Sequence, residues 1–211
     1  MKKYIAEFIG TFALVFFGTG AIVVNDLSNG AIGHLGIAIA FGLVVMIMIF
    51  AFGSLSGAHL NPAVSIAFSI TDIFSLKSLV PYILAQLTGA LLASALLHIL
   101  FYEHQTLGMT VPSGSYEQSF ILESILTYFL MLVILMVSQS KDISKFSAIA
   151  IGGTVLLEAL FAGPICGASM NPARSIAPAL FAGDFQALWI YIAAPILGAI
   201  LASGTWVYLK K

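Results

Sequence analysis

Two asparagines, Asn61 and Asn171, are each followed by proline and alanine inside a very apolar chain. The segments around them, SGAHLNPAVSIA at 56–67 and CGASMNPARSIA at 166–177, are identical at eight of twelve positions. Proline suits the first position of a helix, where its missing N–H would have no partner, and asparagine is a preferred residue just before it. Each triplet therefore predicts a helix start, which carries about half a positive elementary charge. The two triplets are Asn61, Pro62, Ala63 and Asn171, Pro172, Ala173.

Few other residues in the apolar stretches could do chemistry. Arg174 follows the second triplet directly, and Glu7, Glu123 and Glu158 interrupt apolar runs. They form neither a nucleophile–base pair nor a cluster of metal-binding residues, so the sequence predicts no enzyme, no metal site and no cofactor. The one cysteine, Cys166, permits no disulfide within the chain. Because it lies close before the second triplet, we expect a mercurial to block any pore there in part.

The composition is that of an integral membrane protein. Of the 211 residues, 60% are hydrophobic and 8% charged, and the mean hydropathy is +1.07. Six apolar runs approach or exceed the length of about 20 residues that an α-helix needs to cross a bilayer. The strand pattern of alternating polar and apolar residues that a membrane barrel needs is absent, which leaves a helical bundle. The runs are 4–24, 33–54, 80–102, 119–138, 146–165 and 187–209.

The two triplets open apolar segments too short to cross the membrane. The segment PAVSIAFSI ends before Thr71, and PARSIAPALFA ends at Gly183. At about 1.5 Å of rise per residue each spans about half of a bilayer. The predicted fold class is an all-α membrane protein with six transmembrane helices and two re-entrant half-helices.

The chain is an internal duplication. The segment AEFIGTF at 6–12 pairs with LESILTY at 122–128, and YILAQLTGALLAS at 82–94 pairs with YIAAPILGAILAS at 191–203. With the triplets, the offsets are 116, 109 and 110, which indicates repeats of about 1–105 and 117–211 within one domain, 1–211. Each half contains three crossings, an odd number, so the second half is inverted and the two half-helix starts meet near the midplane.

Charge predicts the orientation. Seven of the eight basic residues fall on one side of the predicted bundle, together with both termini, and Arg174 falls on the other. By the positive-inside rule that side is cytoplasmic, in a multi-pass protein of the cell membrane, plasma or inner. A net charge of −1 predicts no nucleic-acid partner. The seven are Lys2, Lys3, Lys77, Lys141, Lys145, Lys210 and Lys211.

Two positive helix ends at one midplane spot favour the passage of neutral molecules. Water there would accept hydrogen bonds from the amides of Asn61 and Asn171, which turns its hydrogens outward and interrupts a proton relay. A cation would lose its hydration, at a cost of several kcal/mol, in a field of the wrong sign. A passive pore is therefore the leading prediction. The alternative is a proton-coupled secondary transporter, because inverted repeats, broken helices and buried glutamates suit that class too.

The paired Asn-Pro-Ala triplets, the arginine after the second and the acidic residue in spans one and four resemble the aquaporin or major intrinsic protein family. The resemblance covers essentially the whole chain. It implies a homotetramer in membrane lipid, with one pore for water and small neutral solutes in each subunit. It also implies a selectivity filter of Phe41, Ala159, Ala168 and Arg174.

The filter region is most similar to the nodulin-like branch of that family, in AGPICGASMNPARS at 162–175 and in Tyr191-Ile192. Strict water channels have histidine where Ala159 stands, and glycerol channels have aspartate where Ser175 stands. The resemblance implies a water channel with a widened filter, open to solutes such as glycerol, urea, hydrogen peroxide or metalloid hydroxides.

The same resemblance implies that Glu7 and Glu123 accept hydrogen bonds from the dipping loops and hold both triplets in place. It implies a position on the cytoplasmic approach to the pore for His59, where the ring either faces the pore or packs against neighbouring spans. Glu158 has three interpretations, because it could tune selectivity near the filter, hydrogen-bond a neighbouring loop or lie at a lateral interface. A buried carboxylate at that depth is costly unless it is protonated, hydrogen-bonded or wet.

Overall fold

A computed structural model describes residues 1–210, and Lys211, one of the basic residues assigned to the cytoplasmic side, lies outside them. The described residues form eight α-helices and no β-strand, with a short 3₁₀ turn at Ser144–Phe146. The helices are α1 (Lys2–Leu27), α2 (Gly33–Ser56), α3 (Pro62–Ile70), α4 (Leu76–Leu100), α5 (Tyr116–Ser138), α6 (Ser147–Cys166), α7 (Pro172–Ala182) and α8 (Leu188–Leu209).

The predicted fold class is confirmed, with six helices long and apolar enough to cross a membrane and two short ones between them. The short helices begin at the two prolines and end at Ile70 and Ala182, the bounds that the sequence predicts. The one clear shift is at α4, which begins at Leu76 and not at residue 80. Hydropathy misses its first turn because that turn is polar, and Lys3 Nζ on α1 donates to Ser78 Oγ there at 3.0 Å.

The two halves pack in the same way. Helix α1 lies against α4 as α5 lies against α8, and α2 meets α6 between the halves. Glycine allows each close crossing. A Cβ added at Gly89 would clash with the carbonyl oxygen of Phe8, and one added at Gly198 would clash with that of Ser124. These pairs differ by the same offsets, 109 and 116, as the repeats in the sequence.

Large apolar side chains cover the outer surface of the bundle. Phe17, Phe50, Phe129 and Phe161 are each more than half exposed on four different transmembrane helices. In a soluble protein such a surface would drive aggregation, whereas in a bilayer it faces hydrocarbon. The polar side chains are concentrated inside, where the two half-helices meet.

Candidate functional site

The two half-helices are capped by the asparagines that precede them. Asn61 Oδ1 accepts from the N–H of Ala63 at 2.9 Å, and Asn171 Oδ1 accepts from Ala173 at 3.0 Å and Arg174 at 3.4 Å. Each carboxamide oxygen is thus committed to the first turn of its own helix. The Nδ2 group of each asparagine remains free to donate hydrogen bonds outside its own helix.

Those Nδ2 groups connect the two halves reciprocally. Asn61 Nδ2 donates to the carbonyl of Met170 at 2.7 Å, and Asn171 Nδ2 donates to the carbonyl of Leu60 at 2.8 Å. Both acceptor residues have a φ of +53°, in the left-handed region, which turns their carbonyls towards the opposite half. One N–H of each carboxamide remains for a molecule between the helix ends.

Glu7 on α1 holds the first dipping loop. Its Oε1 accepts from the N–H of His59 at 2.9 Å and from Ser56 Oγ at 2.7 Å. Its Oε2 accepts from the N–H of Leu60 at 2.8 Å and from Gln86 Nε2 at 2.8 Å. The carboxylate therefore fixes the backbone directly before Asn61 through four donors, which compensates for its burial.

Glu123 on α5 has the corresponding place in the second half, with fewer partners. Its two oxygens accept from the N–H groups of Ser169 and Met170, both at 2.8 Å. By the repeat offsets, Pro195 replaces Gln86 and Cys166 replaces Ser56, so the second half lacks an amide and a hydroxyl donor. The supporting residues Ser56 and Gln86 were missed from the sequence. The aligned halves contain the signal, because these two polar residues stand opposite a cysteine and a proline.

A cavity of about 600 Å³ passes the asparagines. It extends from Lys145 and Ser138, at the predicted cytoplasmic side, to Arg174. The structure brings all four predicted filter residues into its wall, with the two loops and the two asparagines between the ends. Of the described residues that line it, none is aspartate or glutamate. The filter residues in the wall are Phe41, Ala159, Ala168 and Arg174.

Arg174 is only 2% exposed and is fixed from two sides. Its guanidinium carbon lies 5.1 Å from the centre of the Phe41 ring, a cation–π contact. Its Nη1 donates to the carbonyl of Gly108 at 2.8 Å. Gly108 belongs to the connection between α4 and α5, and no sequence pattern identified its carbonyl as a partner of the filter.

His59 lies in the cavity wall below the first triplet. Its Nδ1 is 3.0 Å from Ser65 Oγ, and its ring packs among Phe68, Phe74 and Tyr82, with centroid distances of 4.7 to 5.1 Å. The histidine thus lines the cavity on the side predicted to be cytoplasmic, held by an aromatic cluster.

Glu158 fits neither of the first two interpretations from the sequence, and the lateral interface stays a prediction. It is 6% exposed and stands apart from the residues that line the cavity. Both of its carboxylate oxygens are buried without a hydrogen-bond partner among residues 1–210, so it binds no loop that the structure describes.

The position of Cys166 corrects the expected block by mercurials. The thiol is completely buried, its sulfur lies 3.6 Å from the carbonyl of Ala162, and the residue stands apart from the cavity wall. We therefore expect a mercurial at concentrations that label accessible thiols to leave water flow unchanged. Stopped-flow measurement before and after treatment checks this. Ala168→Cys, which places a thiol in the wall, is the matched positive control, and inhibition of the unmodified protein would contradict the burial.

The chain matches known proteins over nearly its full length. A family model described as major intrinsic protein matches residues 1–208. The chain is 45% identical over 210 residues to aquaporin NIP1-1 of Zea mays, which covers 99% of this chain and 74% of the relative. It is also 45% identical over 210 residues to nodulin-26 of Glycine max, covering 99% and 77%. The X-ray structure of the aquaglyceroporin from Plasmodium falciparum matches with a TM-score of 0.83 and 30% identity, over 97% of this chain and 94% of that one.

Proposed function

The chain belongs to the major intrinsic protein family and is a membrane channel for water and small neutral solutes, and we propose that its filter passes solutes larger than water. Family membership confirms the resemblance inferred from the sequence, including the resemblance to the nodulin-like branch. It favours a channel over the alternative of a secondary transporter. It also separates the chain from enzymes, since members of this family are channels.

The composition of the filter supports the wider solute range. Phe41 and Arg174 are its only large side chains, while Ala159 and Ala168 complete the wall with a methyl group each. The ring that histidine supplies in strict water channels is missing, which leaves both space and a less polar wall. Compact neutral solutes with several hydroxyl or amide groups, such as glycerol, urea or metalloid hydroxides, fit that chemistry, and hydrogen peroxide does too.

The proposal of passive transport rests on one observation: among the described residues that line the cavity, none is a carboxylate. A proton-coupled carrier needs a group in its pathway that takes up and releases a proton. Here the polar groups at mid-depth are two carboxamides at positive helix ends, which do not titrate. The one histidine of the described wall, His59, is enclosed by Phe68, Phe74 and Tyr82. The same helix ends disfavour hydronium and metal cations, so water passes without a proton current.

Stopped-flow light scattering of proteoliposomes tests this function. We expect osmotic shrinkage in sucrose to be faster than in empty vesicles, with weak temperature dependence and no need for a pH gradient. Reswelling in glycerol, urea or hydrogen peroxide should also be faster, and arsenite uptake, measured directly, extends the series to a metalloid hydroxide. Transport that stops when an imposed proton gradient is collapsed would instead favour the carrier.

Replacing Ala159 by histidine is expected to narrow the filter. An imidazole beside Phe41 fills the space that the methyl group leaves, so we expect glycerol and urea flow to fall at least tenfold while water flow changes by about twofold or less. The tenfold figure corresponds to about 1.4 kcal/mol, within the range for one misfit group in a pocket. Ala159→Gly is the matched control and should keep solute flow. Unchanged glycerol flow in the histidine variant would remove Ala159 from the filter.

We propose the remaining roles from their contacts. Glu7 and Glu123 hold the dipping loops, and His59 forms the cytoplasmic approach. The clustering of lysines at the ends of α1, α4 and α8 supports cytoplasmic termini in a cell membrane, and the family supports a homotetramer. Light scattering of the purified protein with detergent correction tests the subunit number. Thiol labelling of single cysteines placed at Lys2 and Glu103 in intact cells tests the orientation.

A further inference from the structure

The connection between α4 and α5 reaches the filter. It dips from Phe101 towards the mouth of the cavity, where the Gly108 carbonyl accepts the hydrogen bond from Arg174 Nη1 at 2.8 Å. A Cβ at Gly108 would lie 3.0 Å from both the Cβ and the carbonyl oxygen of Thr19 on α1, so the turn fits closely there. Among described residues, Gly108 is the one hydrogen-bond acceptor of the guanidinium. The geometry of this turn therefore determines where the filter charge lies.

The turn has an unusual backbone. Leu107 is completely buried and has a φ of +49°, in the left-handed region that a leucine rarely adopts, and Gly108 follows with +71°. Such a conformation costs of the order of 1–3 kcal/mol in general and persists only where other contacts determine it. A side chain of the same connection supplies that contact.

His104 holds the N–H of Leu107. Its Nδ1 accepts that hydrogen bond at 3.0 Å, and its Nε2 lies 3.2 Å from Asp26 Oδ2 near the end of α1. A backbone N–H can only donate, so Nδ1 carries no proton here and Nε2 carries the hydrogen that Asp26 accepts. The contacts thus form one chain from α1 to the filter, through Asp26, His104, the Leu107–Gly108 turn and Arg174.

We propose that His104 is a positioning residue of the filter, whose neutral ring fixes Arg174 against the wall and whose protonation from the extracellular side releases it. This rests on the proposed function, because it assumes that Arg174 bounds the solute path. A second proton on the ring would sit on Nδ1, where it faces the N–H of Leu107, and two donors cannot bond to each other. The contact with Asp26 would persist, now as an ion pair.

Few charges surround the imidazole. Asp26 of α1 faces its Nε2, and Glu103 precedes it on the same connection and accepts from the hydroxyl of Tyr102 at 3.1 Å. Arg174 is separated from the ring by the turn. The side chain of His104 is 10% exposed and that of Asp26 is 50% exposed, so protons from the outer solution have a route to the pair.

Release of the turn should narrow the pore. A buried guanidinium that loses its one protein acceptor must find another, and the nearest water is in the cavity that it lines. Arg174 would then move towards the centre of the path. Loss of one hydrogen bond of ordinary strength lowers the ratio of the fixed to the released state about fivefold, so glycerol flow should fall by up to that factor. Water flow should fall less, because water needs less space.

The experiment uses proteoliposomes with glycerol and water flow measured at about pH 7.5 and about pH 5.5, the range over which histidine changes charge. The wild type should lose glycerol flow on acidification, by up to about fivefold. His104→Asn keeps an acceptor near the position of Nδ1 but does not titrate, and should give high flow at both values. His104→Gln keeps a donor near Nε2 without the acceptor, and should give low glycerol flow at both values.

A histidine on the same side of the membrane is the matched control. His34 Nε2 lies 2.7 Å from the carbonyl of Leu160, a bond in which the ring donates whether or not it carries a second proton. His34→Gln should therefore keep the acid response. An acid response that survives in His104→Asn, or a His104→Gln variant that behaves like the wild type, would overturn the proposal. Wild-type vesicles that pass water no faster than empty ones would count against the channel function itself. Size-exclusion profiles and thermal unfolding of each variant distinguish misfolding from an altered filter.

Discussion

Replacing Arg174 by valine is expected to open the pore to small cations while water still passes. Valine already holds the corresponding position in the first half, where Val64 lines the cavity and is 3% exposed, so the fold accommodates it. The variant removes a fixed positive charge from the wall of the cavity, at the proposed filter. At about 4 Å and an effective dielectric constant of about 20, that charge opposes a monovalent cation by about 4 kcal/mol. We therefore expect passive proton and sodium flux to rise roughly a hundredfold to a thousandfold.

A pH-sensitive dye inside proteoliposomes measures the proton flux, and a sodium-sensitive dye measures the sodium flux. Arg174→Lys is the matched control, because it keeps the charge while losing the planar contacts to Phe41 and Gly108. Its cation flux should stay close to that of the wild type. If the valine variant passed protons and sodium as slowly as the wild type, the two helix ends alone would be a sufficient barrier to cations.

The second large effect concerns Glu7 and Glu123, which hold equivalent positions in the two repeats. We expect their replacement by alanine to lower the stability of the fold by different amounts. Glu7→Ala removes the acceptor of four buried donors, on Ser56, His59, Leu60 and Gln86. The Ser56 hydroxyl keeps the carbonyl of Phe52 as an alternative acceptor at 3.5 Å. At about 1–3 kcal/mol for each of the other three, the loss is roughly 3–9 kcal/mol, comparable with the whole stability of an ordinary domain. Glu123→Ala leaves only the N–H groups of Ser169 and Met170, roughly 2–6 kcal/mol.

We expect Glu7→Ala to yield little folded protein and Glu123→Ala to fold with a lowered unfolding temperature. Thermal unfolding in detergent, followed by tryptophan fluorescence and size exclusion, gives the order. Ser119→Ala is the control on α5, since the Ser119 hydroxyl is buried without a partner and its loss should change stability by less than about 1 kcal/mol. Equal losses for the two glutamates would mean that the additional donors around Glu7 contribute nothing.

Much of the fold could be predicted because its determinants are local. Six hydropathic runs and two Asn-Pro starts give the eight helices, and Gly183, with a φ of +72°, marks the end of α7. The start of α4 was predicted too late, because a span can begin with a polar turn at the membrane surface and hydropathy registers only its apolar part. The wall of the filter followed from spacing in a resemblance to a known family.

The contacts that hold the site in place could not be predicted in the same way. The partner of Arg174 is a backbone carbonyl, and any of several residues between 101 and 115 could have supplied one. The bond between His104 and Leu107 depends on a left-handed leucine, which no sequence rule indicates. Gln86 could have been found from the sequence, because it is a polar residue aligned with Pro195 when the two repeats are superimposed. Glu158 remains without a described partner.

The reciprocal bonds of the two asparagines also have a consequence for biosynthesis. Asn61 leaves the ribosome 110 residues before Asn171, and the carbonyl of Leu60 receives its hydrogen bond only from the later residue. Throughout that interval the nascent first half contains a carbonyl at membrane depth that only water can satisfy. The dipping loop must therefore stay hydrated, or at the surface, until translation has supplied its inverted counterpart.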